Sequence, residues 1–350
     1  MATIYTILDQ LRRDEQRSVL ATIIRVEGSA YRKEGTSMLF QENGTQIGML
    51  SGGCLEQDLA VHAEEALSTG RSLTVMYDMS AEDDSSWGQG AGCNGRIHVL
   101  LEPVHPWMRD QLLRLRLCLE QGLSVIVMRK LGKDNGTERI CFQASTGEMF
   151  GHRSECGLSR GDMKAILLEW ERSGRRPFIS AAGAYYVQRY NPKPRLIVLG
   201  AGPDAKPLVR TAAQSGFAVT LWDWRESLCS KEQFPQADEC IVGPPALVGS
   251  DLHFRPSDAV VLMTHHFQHD RVLLEAMLQM DIFYLGILGP RRRTSRLLGG
   301  TNIPEHVHSP IGLPIGADGP EEIAISIMAE IISKLRLRQK KKASVDHESK

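Results

Sequence analysis

Apolar residues in the first part of the chain follow two kinds of spacing, one helical and one typical of strands. Residues 4–11 repeat Ile and Leu at helical intervals, whereas residues 18–26 (SVLATIIRV) form a β-branched run too continuous for a strand with one solvated face. Asn43-Gly44 lies between two apolar arms, which indicates a β-hairpin. Residues 56–67 return to helical spacing and end before Gly70. The pattern predicts a helix, a buried strand, a hairpin and a second helix.

The same mixture continues to residue 190. Because strands joined by short hairpins pair antiparallel, the first half of the chain is predicted to be a mixed α+β domain. The remaining segments predict strands at 71–78, 96–103, 124–130 and 178–190, helices at 107–120 and 163–172, and a second hairpin at 139–150.

Residues 191–194 (NPKP) end this series of helices and antiparallel strands, because proline restricts its own backbone and that of the preceding residue. After them come short apolar runs (RLIVLG, AVTLWD, DECIVG, AVVLMTH, YLGILG) separated by stretches long enough for crossover helices. This alternation predicts an α/β protein whose C-terminal part is a Rossmann-like, doubly wound parallel sheet. We expect an N-terminal domain at 1–190 and a C-terminal domain at 195–337 with a last helix near 320–335. The basic tail at 338–350 is expected to be disordered rather than a binding arm.

Composition and charge exclude several classes of protein. The 350 residues carry 41 Lys and Arg against 42 Asp and Glu, a net charge of −1, so no overall field attracts nucleic acid or an anionic membrane. No apolar run approaches the roughly 18 residues of a membrane-spanning helix, and the charged N-terminus lacks a signal-peptide core, which predicts a cytoplasmic protein. The seven Cys include no CxxC pair, so we expect free thiols and neither a disulfide framework nor a structural zinc site.

The first candidate site follows a predicted strand. GAGPDA at 200–205 opens a helix, and Asp223 ends the next strand 21 residues after Gly202. This is the spacing of a dinucleotide fingerprint, in which glycines admit a pyrophosphate and the acid binds a ribose. Pro203 removes an amide and Asp204 adds negative charge where the pyrophosphate would lie, so NAD(P) binding is a separate question from the fold. The alternative is that the glycines serve packing alone and that Asp204 caps its own helix.

Two loops of the first domain combine glycine with groups that bind anions. Residues 27–35 (EGSAYRKEG) bracket a basic pair with glycines, and residues 50–56 (LSGGCLE) form a Gly-Gly turn that leads into a helix. Backbone amides and the positive end of that helix favour a phosphate near Gly52 and Gly53 and a thiolate at Cys54. The competing interpretation of the first loop is an ordinary solvated connection.

Three further segments offer candidate ligands. Residues 90–95 (GAGCNG) hold Cys93, which is either a small buried side chain or, with Cys54, a soft ligand for a metal. Residues 264–270 (THHFQHD) and 289–293 (GPRRR) follow successive Rossmann strands at one edge of the sheet. The histidines offer metal binding or proton transfer, and the arginines a cationic patch. For the histidines, the alternative is that one of them caps a helix or contacts a ligand while the others are solvated. For the arginines, it is a solvated helix start.

Taken in order, these motifs resemble the XdhC/CoxI family of accessory proteins for molybdenum hydroxylases such as xanthine dehydrogenase. The resemblance covers nearly the whole chain. It rests on EGSAYRKEGTSML, LSGGCLEQD and GCNGRIHVLLEP in the first domain, and on LGAGPDAKPLV, THHFQHD, LGILGPRRR and SPIGLPIGADGPEEIAISIMAEI in the second. It implies a protein that binds the molybdenum cofactor, holds it during sulfuration and delivers it to the apo-hydroxylase, a chaperone more than an enzyme.

The resemblance and the residue patterns together give a set of expected ligand contacts. No catalytic residue is assigned, and Cys54 and Cys93 are the expected metal ligands. The implied partner is a xanthine dehydrogenase-type molybdenum hydroxylase of purine catabolism, with a cysteine desulfurase and a second copy of the chain left open. The residues expected to bind the molybdenum cofactor or a Rossmann ligand are Gly28, Ser29, Arg32, Gly52, Gly53, Cys54, Cys93, Gly95, Gly200, Gly202, Asp223, His265 and Arg291.

Two functions of other classes stay open from the residues alone. One is an NAD(P)-dependent oxidoreductase that uses the Rossmann domain, with His265 or His266 as acid and base. The other is a regulatory module whose Rossmann domain senses a nucleotide. Turnover of NAD(P)H would favour the oxidoreductase, whereas bound pterin and molybdenum would favour the chaperone.

Overall fold

The computed structural model describes residues 4–79, 94–132, 136–152, 160–174, 176–180, 185–300 and 302–348, with the backbone alone at 94, 160 and 339–348. The chain divides into a first unit, Met1–Pro192 with Asp346–Lys350, and a second unit, Lys193–Val345. Each unit is built around its own β-sheets. No helix among the described residues is long and apolar enough to cross a membrane.

The described part of the first unit contains two five-stranded antiparallel sheets. Its elements are α1 (Ile4–Arg13), β1 (Ser18–Ser29), β2 (Ser37–Gln41), β3 (Gln46–Ile47), α2 (Glu56–Thr69), β4 (Leu73–Asp78), β5 (Asn94–Pro103), α3 (Pro106–Glu120), β6 (Val125–Leu131), β7 (Thr137–Ala144), β8 (Met149–Gly151), α4 (Arg160–Arg172), β9 (Phe178–Ser180) and β10 (Tyr185–Tyr190). The strand orders are β3-β2-β1-β5-β4 and β8-β7-β6-β10-β9. The predicted mixed α+β architecture is confirmed.

Strand β1 is buried on both of its faces. Val19, Ala21 and Ile23 belong to a core shared with α2, and Leu20 belongs to a second core shared with α1 and α3. A strand covered on both sides cannot alternate apolar and polar residues, because neither face meets water. The predicted burial is confirmed for residues 18–24, whereas Arg25 is exposed and Val26 is half-buried.

The second unit forms one six-stranded parallel sheet in the part that the structure describes. Its strand order, β13-β12-β11-β14-β15-β16, is the order 3-2-1-4-5-6 of a Rossmann sheet, which confirms the predicted doubly wound fold. Its elements are β11 (Arg195–Leu199), α5 (Ala205–Gln214), β12 (Ala218–Asp223), β13 (Glu239–Val242), a 3₁₀ turn (Pro245–Leu247), α6 (Val248–Asp251), β14 (Ala259–Leu262), α7 (Phe267–Met277), β15 (Tyr284–Ile287), α8 (Arg291–Leu297), β16 (Val307–His308) and α9 (Gly319–Glu348).

One predicted strand of the first unit is wrong. The run at 178–190 forms two strands, β9 and β10, that pair antiparallel with Tyr185 opposite Ser180. The sequence between them is Ala-Ala-Gly-Ala, whose small side chains have low strand propensity. The β-branched and aromatic residues on either side masked that weakness in the sequence pattern.

The C-terminal tail also differs from its prediction. Helix α9 continues to Glu348, so residues 338–348 are helical rather than disordered. Lys, Arg, Gln and Ala have high helix propensity, and they extend a helix that the apolar residues before them have already nucleated. Loss of apolar residues predicts loss of packing, but it does not by itself end a helix.

The expectation that all seven thiols are free is wrong, because one disulfide takes up two cysteines. Cys141, fully buried on β7, is disulfide-bonded, whereas Cys54, Cys118, Cys229 and Cys240 are free. A disulfide depends on the distance between two residues in the fold, which spacing along the chain does not reveal.

Truncation tests the role of the end of α9. Arg338 is the last side chain of α9 that the structure describes: it donates to the carbonyl of Pro256 at 2.6 Å, and its guanidinium lies 5.2 Å from the Phe283 ring. Ending the chain after Arg338 should change the free energy of unfolding by less than about 0.5 kcal/mol. Ending it after Ser333 also removes Leu335, which packs on the core, and should cost about 1–3 kcal/mol. Thermal unfolding measures both, and a large loss in the longer variant would contradict this assignment.

Candidate functional site

The residues predicted to bind cofactor in the first unit begin at one end of the β1–β5 pair. Gly28 lies opposite Gly95, and Ser29 lies opposite Asn94. A Cβ atom on Gly95 would lie 2.3 Å from the carbonyl oxygen of Glu27, so only glycine permits this approach of the two strands. The structure therefore brings Gly28, Ser29 and Gly95 together at the end of the first sheet. Cys93 lies outside the described residues.

The loop after β1 is closed by a side chain within it. The Glu34 carboxylate accepts from the Val26 amide at 3.0 Å, across the neck of the loop. The guanidinium of Arg32 lies 5.0 Å from the centre of the Tyr31 ring, and Arg32 is half-buried. Tyr31 itself is 58% exposed. The loop thus presents an aromatic surface and a cation at the same end of the sheet.

The Gly-Gly turn before α2 depends on Glu56, which the sequence analysis did not single out. The buried Glu56 carboxylate accepts from the amides of Leu50 at 3.0 Å and Ser51 at 2.8 Å, and from the Ser51 hydroxyl. Burial alone would raise the pKa of Glu56, but the hydrogen bonds from Ser51 and Leu50 outweigh it and lower the pKa. The positive end of α2 therefore already faces a carboxylate of the chain.

This arrangement changes which amides of the turn are available. The Gly53 amide donates to the Ser51 hydroxyl at 3.1 Å, whereas the Gly52 amide makes no hydrogen bond with any described residue. Of the two glycines predicted to hold a phosphate, Gly52 keeps a free donor. The sequence signal for Glu56 was an acidic residue shortly after a serine and a glycine-rich turn. The sequence did not show that its carboxylate is buried.

A recess of about 40 Å³ joins the two loops. Tyr31 from the loop after β1, Gly52 and Cys54 from the turn, and Ile97 from β5 line it. Cys54 is half-buried there with a free thiol. The structure therefore brings the loop at 27–35 and the turn at 50–56 together. No group of three or more His, Cys, Asp or Glu side chains able to hold a metal occurs among the described residues.

In the second unit packing against backbone requires the first glycine of the Rossmann turn, Gly200, whereas the second, Gly202, meets only a movable side chain. Gly200 has φ +124°, and a Cβ atom there would lie 2.6 Å from the carbonyl oxygen of Met263. A Cβ atom on Gly202 would lie 2.5 Å from the Asp204 carboxylate. The close approach of the first and fourth strands of the sheet fixes Gly200 independently of any ligand.

The acid of the predicted fingerprint is engaged by the chain. Asp223 is fully buried; it accepts from the Ala201 amide at 2.6 Å and from Arg225 through the backbone amide and two guanidinium nitrogens at 2.7–2.9 Å. Burial alone would raise the pKa of Asp223, but the hydrogen bonds from Arg225 and Ala201 lower it. A ribose hydroxyl at this carboxylate would have to compete with Arg225.

Asp204 does not cap its own helix, so that alternative is wrong. No side-chain capping bond forms at the start of α5, and the Asp204 carboxylate instead lies 2.6 Å from Nε2 of His265. His265 has φ +60°, which is unusual for a residue other than glycine, and is 61% exposed. This contact links the turn after β11 to the turn after β14.

The other members of the THHFQHD segment have structural contacts. His266 caps α7 by accepting from the His269 amide at 3.3 Å, which confirms the interpretation of one histidine as a cap. Burial and the neighbouring His266 lower the pKa of His269. The buried Asp270 accepts from the Thr264 hydroxyl and from Arg293. Of the basic run, Arg293 is thus part of the fold.

The predicted ligand edge of the second sheet carries an apolar cavity of about 300 Å³. Asp204 and His265 line it together with Leu208, Leu288 and Gly289. It lies at the carboxyl ends of β11, β14 and β15, beside the point where the strand order reverses. Arg291, the first residue of α8, is exposed and does not line this cavity.

Comparison with known families covers most of the chain in three segments. Residues 11–78 match the XdhC and CoxI family, residues 107–191 match the BH1974-like central domain, and residues 196–331 match the XdhC Rossmann domain.

Relatives align over nearly the full length. A Bacillus subtilis (strain 168) protein, named as a probable subunit of xanthine dehydrogenase, is 42% identical over 95% of this chain and 97% of its own. The Escherichia coli (strain K12) molybdenum cofactor insertion chaperone PaoD is 25% identical over 92% of this chain and 84% of its own. A crystal structure described as a xanthine dehydrogenase from Bacillus halodurans is 45% identical, with a TM-score of 0.84 over 96% of both chains. The chain therefore belongs to the XdhC and CoxI family.

Proposed function

We propose that this protein binds the molybdenum cofactor in its first unit and delivers it to a molybdenum hydroxylase of the xanthine dehydrogenase type. The observation that carries the proposal is the meeting of Tyr31, Gly52 and Cys54 in one recess, next to the Gly28–Gly95 strand pair. The name of the insertion chaperone among the relatives supports the cofactor, and that of the B. subtilis relative supports the recipient. A cysteine desulfurase and a second copy of the chain stay predictions as further partners.

The residues at this place suit the two ends of molybdopterin. Molybdopterin carries a phosphate and two sulfur donors to molybdenum. Arg32 and the Gly52 amide would hold the phosphate, since a guanidinium and an unpaired amide are both anion donors. Cys54 would supply a soft thiolate near the metal. Glu56 fixes the turn that presents both donors.

The size of the recess bears on how the cofactor would be held. A space of about 40 Å³ accommodates a few water molecules at most, so the described residues alone would not enclose a pterin. We expect the cofactor to lie across the loops. Shallow binding suits a carrier that must release its cargo to another protein, because fewer contacts have to be broken.

We propose no oxidoreductase activity for the second unit. Asp223 is saturated by Arg225 and Ala201, Pro203 lacks an amide, and the Asp204 carboxylate lies at the position of a pyrophosphate. The 300 Å³ cavity is mainly apolar, which does not favour a dinucleotide phosphate. These contacts argue against NAD(P) as a tightly bound cofactor.

Dinucleotide binding tests this view of the second unit. NAD and NADP should bind more weakly than about 100 μM, without hydride transfer. Replacing Asp204 with Asn should tighten binding, because it removes a like charge near the phosphates. Calorimetry measures both proteins, with Asp251→Asn in the same unit as the control. Tight NADH binding by the native protein, together with turnover, would contradict the proposal.

Serine variants of the cysteines test the first unit. Cys54→Ser should lose most of the bound molybdenum and pterin and the ability to activate a hydroxylase, with Tm changed by less than about 3 °C. Cys93→Ser should lose less. Inductively coupled plasma analysis and fluorescent pterin derivatives quantify both losses in protein from a molybdopterin-producing host.

Two cysteines serve as controls in that experiment. Cys240 is half-buried like Cys54 but lies in the second unit, and burial raises the pKa of its thiol. Burial raises the pKa of Cys229 to about 12, which keeps that thiol neutral. Cys240→Ser and Cys229→Ser should keep the cofactor content of the parent. Equal cofactor content in all four variants would remove Cys54 and Cys93 from the mechanism.

A further inference from the structure

A second cavity of the first unit lies at the opposite end of β5 from the proposed cofactor loops, which are residues 27–35 and 50–56. Its volume is about 750 Å³, in the range of small-molecule sites. Glu102 and Pro103 line it, whereas Gly95 belongs to the other end of the strand. Seven residues of extended chain span about 23 Å, so a small ligand cannot occupy both places at once. No residue of the expected cofactor site lines this cavity.

A hydrogen-bonded network holds the wall of this cavity. Glu102 is 4% exposed and accepts from Nε of the fully buried Arg129 at 2.8 Å and from the Thr137 hydroxyl at 2.7 Å. The Thr137 amide donates to the Ser72 hydroxyl at 2.6 Å. The contacts connect β5 of the first sheet to β6 and β7 of the second. The Glu102 carboxylate is thereby held in one position.

The charges around this cavity favour an anion. Glu102 is paired with Arg129, and Glu138, a second acid of the lining, is paired with Lys130 at 3.2 Å. Arg71 and Arg139 also line the cavity and make no ion pair with any described residue. Because both acids already have cations and these two arginines do not, the part of the lining that the structure describes carries uncompensated positive charge.

One side of the cavity offers a flat surface. The rings of Trp107 and His152 both line it, with centroids 4.1 Å apart and planes inclined at 42°. The Ile140 amide donates to Nδ1 of His152 at 3.2 Å, which orients the imidazole. Trp107 is 39% exposed, so part of its ring is accessible to a ligand in the cavity.

We propose that this cavity is a nucleotide site that takes a guanine nucleotide, separate from the molybdenum cofactor. The base packs against Trp107, and the phosphate binds Arg71 and Arg139. Each oxygen of Glu102 accepts one hydrogen bond from the protein and keeps capacity for another. Guanine presents a ring N–H and an amino group side by side, which match the two oxygens of one carboxylate. Adenine has no such pair of donors.

Calorimetry of the full-length protein with GMP tests the proposal. GMP should bind saturably in the micromolar range, and guanosine and inorganic phosphate should each bind at least about tenfold more weakly, since each lacks one half of the ligand. AMP should also bind more weakly than GMP. Absence of saturable GMP binding would overturn the proposal, as would phosphate or AMP binding as tightly as GMP.

Variants locate the site and separate it from the cofactor loops. Arg139→Ala and Trp107→Leu should each weaken GMP binding by about tenfold or more, because one removes a phosphate donor and the other the ring surface. Arg12→Ala, an exposed arginine on α1, should bind GMP like the parent. Cys54→Ser should also bind GMP normally, even if it loses molybdenum. Unchanged GMP binding in both folded cavity variants would contradict the assignment.

Discussion

The antiparallel pairing of β1 with β5 is the constraint on which the first unit depends. The β1 half of the pair is buried over residues 18–24, and at one end Gly95 approaches Glu27 so closely that no side chain fits. That approach sets the distance between the loop after β1 and the start of β5. At the other end the same strand presents Glu102 to Arg129, which connects the first sheet to the second. One strand therefore positions both the proposed cofactor loops and the second cavity.

Buried carboxylates have different roles near the two ends of β5. At the proposed cofactor loops the buried Glu56 carboxylate accepts from the amides of Leu50 and Ser51 and so holds the turn in place. Removing Glu56 would leave buried donors without partners, which costs more than the net value of the bonds themselves. At the other end Glu102 and the buried Arg129 neutralise each other. Arg71 and Arg139 therefore give the described lining of the second cavity its positive charge.

Much of the fold was predictable, because periodicity and glycine spacing are local signals. The buried strand at 18–26, the Asn43-Gly44 hairpin and the Rossmann sheet after residue 194 all follow from the order of residues alone. The failures have physical causes. The run at 178–190 forms two paired strands, β9 and β10, and the small residues of its sequence have low strand propensity. Helix α9 continues beyond its last apolar residues because the residues that follow have high helix propensity.

The candidate sites were only partly predictable, since a side chain's partner depends on the tertiary structure. The sequence pattern singled out Gly52 and Cys54 as candidate ligands in a Gly-Gly turn, but it did not identify Glu56, which holds that turn. It also placed Asp223 at the right spacing for a ribose, whereas Arg225, two residues later, occupies that carboxylate. The second cavity had no sequence signal, because Glu102, Thr137 and Arg139 are far apart along the chain and form no motif.

The most direct test of the central claim is the molybdenum and pterin content of the full-length protein. The protein is purified from a host that makes molybdopterin and from one that cannot, and its metal content and ultraviolet-visible absorption are compared. Our account predicts molybdenum and pterin in similar molar amounts from the first host and neither from the second. Protein from the first host that carries neither component would contradict it.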